Sequence, residues 1–495
     1  MRLLKWPSTG TCAGKWVWLF LILQVWLTAP VFAHGFGQRF DLPMPLWLYL
    51  TGAGLTVAFS FLILALRRPV TVTGVARFNL SRTPLRHVID ATWLRLVLRL
   101  LAIALYVLVI LAGLIGVQNP VKNIAPAMIW AIWWVGIAYI SALVGNVWGL
   151  LNPLDSLFCY AEQLYFLLLG RQGRRNTLVY PEAAGIWPAV VLFFLFIWME
   201  LNWEGSEQPT SLACAILLYS ALTWLGMAVY GREVWLQRGE IFSILFGLLA
   251  RFSPLQIEGG NWYLRPYAVG LLNEKPIATS GIVLVILMLA SVSFDGVMET
   301  QPWLDLLLYT SQIFPQTMAM PLAMLLFKTA ALLVIPSLFL LIFLGCCRLI
   351  SAAGSAGEED GGAVFSTMRI AGMFVLTLVP ISIAYHFAHY LSFLAMAGQY
   401  LIPLASDPLD LGWNLFGTKL YFIRIGIVDA KMVWYVSLLS IILGHIAAVY
   451  LAHVTAMRLY STRQAAIRSQ YPMLLLMVCY TMISLWIMAQ PIVSM

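Results

Sequence analysis

Apolar runs long enough to cross a lipid bilayer recur along this chain, and they limit its fold more than any motif does. They lie at about 45–66, 100–117, 127–149, 186–202, 210–230, 280–295, 318–345, 368–396, 432–454 and 472–492. A helix needs roughly 20 mostly apolar residues to span the hydrocarbon core. The chain is 61% hydrophobic and only 10% charged, with mean hydropathy +0.87, whereas soluble domains carry about 25% charged residues. The expectation is an all-α, polytopic integral membrane helix bundle of about ten transmembrane helices, forming one membrane domain over 34–495.

The first 33 residues read as a cleaved signal peptide. Arg2, Lys5 and Lys15 supply a basic start, Trp16 to Leu27 is an apolar stretch too short to span, and Val31-Phe32-Ala33 places small residues at a cleavage site. Cleavage there makes His34 the first mature residue, whose α-amine and imidazole can chelate a metal together; the structural alternative is a solvated arm. The first span ends at Arg67-Arg68, which puts the mature N-terminus outside, and ten alternating spans return the C-terminus outside. Apart from the signal peptide and Lys328, 20 Lys and Arg residues fall on the expected inner side. Five fall outside: Arg39, Lys122, Lys419, Arg424 and Lys431. This asymmetry is the positive-inside pattern, and it accounts for the net charge of +8 without a nucleic-acid partner. Asp155–Leu169 and Glu240–Leu249 read as helices on the inner membrane surface. The Gly-rich, acidic stretch 352–362 reads as a flexible inner loop.

Ionisable groups inside a span are costly and point to function. The chain has six histidines, and His386 and His389 stand three apart, on one helical face, beyond a kink expected at Pro380. The next span carries His445 and His453; eight residues of helix separate them by about 12 Å, too far to share one ion. His87 falls in an inner loop. Converging nitrogen and oxygen ligands would suit zinc or copper, with His34, His386, His389 and His445 as candidates. Asp407 and Asp410, in the loop joining the two histidine-bearing spans, are the candidate catalytic carboxylates. Histidines bonded to helix carbonyls and solvated loop acids are the plainer readings. Lys328, inside a span, reads as a gate or counter-ion, or as a structural ion pair. The cysteines form no CxxC pair and read as small buried apolar groups. No phosphate-binding loop, GxSxG elbow, dinucleotide fingerprint or HExxH stands in a suitable context.

Several stretches together resemble a family of bacterial polytopic membrane proteins labelled fenitrothion hydrolase. They are His34-Gly35 with Asp41–Leu48, Gly231-Arg232-Glu233, Phe246–Arg251, Ser293-Phe294-Asp295-Gly296, Tyr385–Tyr390, Ser406-Asp407-Pro408, Gly412–Thr418, Gly444-His445 and Leu451-Ala452-His453. The resemblance covers nearly the whole mature chain. It implies a protein of the bacterial inner membrane that hydrolyses organophosphorus triesters at the aryl–oxygen–phosphorus linkage. It supplies no catalytic motif to transfer residue by residue.

The leading expectation is therefore a metal-assisted hydrolase with its site at the periplasmic face, reached by an apolar substrate from the lipid. His386 and His389 would be ligands, His34 or His445 would complete the set, and Asp407 or Asp410 would act as ligand, support or general base. The alternative is a non-enzymatic protein that binds or moves a metal ion or small solute along these histidines. A third reading is a membrane subunit with a partner subunit, its polar residues serving helix packing alone.

Overall fold

Among the described residues, ten helices are long and apolar enough to cross a membrane. The computed structural model describes residues 40–66, 77–84, 86–89, 91–168, 177–355 and 365–490. The expected signal peptide and His34 lie outside these residues. The spans are α1 (Leu46–Leu66), α2 (Thr92–Ile115), α3 (Ile124–Leu143), α4 (Trp187–Asn202), α5 (Pro209–Tyr230), α6 (Thr279–Met298), α7 (Pro321–Ser355), α8 (Thr367–Ser406), α9 (Ala430–Leu459) and α10 (Tyr471–Ala489). The architecture is the expected all-α polytopic bundle. Several spans run past the apolar runs that announce them. α2 starts at Thr92 and takes in Arg95 and Arg99, whose long stems can lie along apolar surface while the charge reaches water. Ala352–Ser355, expected in a flexible loop, continue α7 as helix.

The bundle is apolar outside as well as inside. Leu55, Phe59, Leu62 and Ile63 of α1 and Leu333, Val334, Leu338 and Leu341 of α7 are all exposed, the pattern of helices that face lipid. α6 and α8 form the centre: 83% of the most apolar stretch of each is buried, against 17% for α2. The candidate site sits on these two central helices.

Local sequence sets three departures from regular helix. α8 tightens into a 3₁₀ turn over Val375–Leu378 and resumes as α-helix at Val379. Pro380 falls in the first turn of the resumed helix, where its missing N–H costs least. α9 then packs closely on that break: a Cβ at Gly444 would lie 2.8 Å from the Pro380 carbonyl oxygen and would also strike the Ala384 Cβ. α3 is wound as a π-helix over Ala127–Gly136, a rare form that is frequent at functional sites. Its start is tied down by Asn123, whose Oδ1 accepts the Ala125 N–H while Nδ2 donates to the Ala112 carbonyl at 2.7 Å.

One inner-surface expectation is corrected. The helix Ile241–Leu249 is buried inside the bundle rather than laid on its surface: Ile241, Phe242, Leu245 and Phe246 are at most 2% exposed. Trp133 packs edge-on to Phe242 at 4.2 Å. Glu240 is fully buried and makes this insertion tolerable. Its two oxygens accept the N–H groups of Phe242 and Ser243, and Tyr219 donates a very short hydrogen bond. The helix Pro153–Leu168 is held by Asp155, whose Oδ1 accepts Arg232 Nε at 2.5 Å. The loops also form a small antiparallel sheet, β1 (Phe78–Asn79), β2 (Leu255–Glu258) and β3 (Asn261–Leu264), in the order β1-β3-β2.

Candidate functional site

A cavity of about 260 Å³ lies between α3, α4, α6, α8 and α9. Most of its wall is apolar, including Phe193, Leu245 and Val292, and Glu200, His386, Tyr390, Tyr139, Ser291 and Ser382 bring polar groups to it. Two lining residues, Leu143 and Leu443, are 42% and 63% exposed on the outside of the bundle. Part of the cavity wall therefore reaches the surface of the bundle.

Four titratable side chains meet at one side of this cavity. His389 Nε2 is 2.8 Å from Asp295 Oδ2, both groups being buried. The Tyr390 hydroxyl is 2.8 Å from the same Asp295 oxygen and 3.1 Å from Glu200 Oε1. Trp134, from the π-wound part of α3, donates its indole N–H to Glu200 Oε1 at 2.7 Å. A phenol carries one hydrogen. Two carboxylates within reach of that hydrogen make Asp295, Tyr390 and Glu200 a proton-sharing set, with His389 as its fourth member. Buried networks of this kind gain strength from the low local dielectric and lose it sharply when one member is removed.

His386 flanks the set. Its ring lies 4.7 Å from that of Tyr390 and 5.4 Å from that of Trp134. It borders the cavity, and its Nε2 is buried with no hydrogen-bond partner among the described residues. Tyr139 holds the backbone in place beneath it, donating to the Phe387 carbonyl at 2.9 Å.

Other candidates take different places. His445 donates Nδ1–H to the Ile441 carbonyl at 2.8 Å, and its ring faces Tyr480 of α10 rather than the cavity. His453 bonds Gln470 Oε1 at 2.9 Å. Lys328 is half-buried on α7, next to Thr329, which accepts the Trp198 indole N–H. Asp407 is the organiser of its own loop. Its oxygens accept Lys419 Nζ at 2.7 Å, Leu411 N–H at 2.8 Å and Gly412 N–H at 2.9 Å. Burial works against its charge, but Lys419 and the two amides outweigh it and hold the carboxyl below its ordinary range. Asp410 takes a left-handed turn position, φ 55°. The carboxylates beside the histidines are Asp295 and Glu200, not the Asp407 loop. Glu200 was legible as an acid two residues from the end of an apolar span, and such placements are expensive.

Among the described residues, no group of three or more His, Cys, Asp or Glu side chains is placed to hold a metal ion. His389 and Asp295 bond each other, and His34 lies outside the described residues. Compared with known families, curated proteins and solved structures, the chain matches none. What fold and site define together is a class: a polytopic membrane helix bundle with a mostly apolar cavity and a buried His–Asp–Tyr–Glu set beside it.

Proposed function

We propose that this protein is a membrane-embedded hydrolase of apolar esters, organophosphorus aryl triesters being the class the sequence resemblance favours. The observation that carries the reading is the proton-sharing set of Asp295, Tyr390, Glu200 and His389 next to an apolar cavity whose wall reaches the bundle surface at Leu143 and Leu443. An aryl triester dissolves in the bilayer and enters sideways past Leu143 and Leu443. Water attacks phosphorus as the bond to the aryl oxygen breaks. His386, bordering the cavity, takes the proton that water releases, and the Tyr390-centred set supplies a proton to the departing phenolate. The described residues do not assemble a three-ligand metal site, so no step is routed through a metal. The distribution of Lys and Arg favours a bacterial inner-membrane orientation with the mature N- and C-termini periplasmic.

The test is turnover of a nitrophenyl phosphotriester by purified protein in lipid nanodiscs, followed by nitrophenolate absorbance. The wild type should release nitrophenolate, and His386→Ala and Asp295→Asn should each slow release at least a hundredfold. No release above empty nanodiscs, or both variants turning over at the wild-type rate, would sink the proposal. A second reading, binding or passage of a small solute without chemistry, is favoured by the same apolar cavity; ligand retention without turnover would select it.

A further inference from the structure

The loop between α8 and α9, residues 407–429, turns its polar groups inward and its apolar side chains outward. Leu411, Trp413, Leu415 and Phe416 are exposed, and Leu420 and Phe422 are 93% and 87% exposed. Beneath them the backbone is tied to the protein. Ser406 Oγ accepts the N–H groups of Phe416 and Thr418, each at 3.2 Å, and Asp407 accepts those of Leu411 and Gly412. Asn414 Oδ1 accepts the Lys419 N–H at 3.1 Å. Gln399 bonds both the N–H and the carbonyl of Arg424, and Thr418 Oγ1 donates to the Ile402 carbonyl at 2.7 Å. A loop in water does the reverse, leaving amides to solvent and tucking apolar side chains away. Backbone satisfied from within and hydrocarbon presented outward is the arrangement that lipid demands.

The packing under the loop sets its level. Leu404 is buried in one cluster with Ala112 of α2 and Ile124 of α3, and Leu108 and Leu409 pack against that cluster. α2 ends at Ile115, so at about 1.5 Å per residue Ala112 and Leu108 lie roughly 4.5 and 10 Å short of that end. The last turns of α8 therefore lean on the final turns of a membrane span instead of rising above them, and the loop leaves from that level. Its other residues suit a membrane boundary. Trp413 and Tyr421 carry a polar group on an apolar ring, the type enriched where hydrocarbon meets water. Three of the five Lys and Arg residues on the expected outer side, Lys419, Arg424 and Lys431, fall in the loop or at its end. Lys419 is held by Asp407, whereas the side chains of Arg424 and Lys431 are exposed.

We propose that this loop is an interfacial anchor that binds the phospholipid layer at its end of the bundle. Leu411, Leu415, Phe416, Leu420 and Phe422 enter the boundary between headgroups and acyl chains. Arg424 and Lys431 lie along it and meet the lipid phosphates with their charged ends. Asp407 and Ser406, by holding the loop's amides, keep the backbone closed as the side chains enter. A protein partner would cover the same side chains; the level set by Leu404 and Leu409 selects lipid.

The test is covalent labelling of the purified full chain, one copy per nanodisc of phosphatidylcholine and phosphatidylglycerol, read by mass spectrometry on the tryptic peptide 420–424. Neither readout needs hydrolysis, so the anchor stands or falls apart from the proposed activity. A phospholipid carrying a diazirine in its acyl chain should, on illumination, label this peptide within tenfold of the exposed α7 stretch 333–341. Hydroxyl radicals made in the water should oxidise it at least tenfold less than the same peptide free in solution. Oxidation at the free-peptide rate would overturn the proposal and leave the surface to a soluble partner. Absence of lipid label would overturn it too, and protection found only in discs holding two copies would assign the surface to a second chain instead.

Discussion

Tyr390→Phe removes one oxygen and tests the set around which the site is built. The hydroxyl stands 2.8 Å from Asp295 and 3.1 Å from Glu200, and a hydrogen bond to a charged group contributes about 1.5–3 kcal/mol. The two contacts share one hydrogen, so their values do not add. Each carboxylate also keeps another donor, His389 for Asp295 and Trp134 for Glu200. The expected loss of stability is therefore that of a single contact, about 1.5–3 kcal/mol, measured by equilibrium denaturation in mixed micelles. The ring still fills its place, so no cavity term adds to this. Turnover should suffer more. Losing a positioned acid–base group costs roughly 10²–10⁴ in rate, about 3–5 kcal/mol of barrier. The assay is nitrophenolate release in nanodiscs at saturating substrate. A Tyr390→Phe protein with wild-type stability and wild-type turnover would refute the proton-sharing set. Lost stability with intact turnover would leave Tyr390 as a packing residue alone.

Two further perturbations follow from the packing. Gly444→Ala places a methyl against the Pro380 carbonyl and Ala384. Separating α8 from α9 should cost about 1–3 kcal/mol, and because Gly444 lines the cavity it should also weaken ligand retention; an Ala variant as stable as wild type would show that the helices yield freely. For Asp407, the sign follows from its lowered folded pKa. Its contribution is present above the unfolded carboxylate value of about 3.9 and disappears as pH falls through the lower folded value. Amide exchange at Leu411 and Gly412 should therefore stay slow at pH 5–7 and quicken below about pH 4. Asp407→Asn should be fast throughout, and slow exchange in that variant at pH 7 would contradict the assignment.

How much of this was legible in the sequence depended on whether one helix or several decide a property. The spans were legible because a bilayer filters each segment for length and polarity on its own. Their ends were less so: Arg95 and Arg99 look like loop residues until their stems are laid along α2. The His386–His389 pair was legible because spacing within one helix fixes a shared face. Its partners were not. Asp407 looked right because it is near in sequence, but the loop turns it onto Lys419 and its own amides. Asp295 and Glu200 come from helices 94 and 186–190 residues away in the chain, and nothing in either segment marks which neighbour it will meet. The burial of Ile241–Leu249 was hidden in the same way, because the Trp133 ring and the Tyr219 hydroxyl that receive it lie on α3 and α5. A better reading would start from the cost of each acid inside a span and ask which donors can meet it. Glu200 then demands at least two donors at the end of α4. Tryptophans and tyrosines on adjoining spans become candidates for hydrogen bonding as well as for interface anchoring. Applied to α3 and α8, that question selects Trp134 and Tyr390, the two residues that tie Glu200 to the histidine pair.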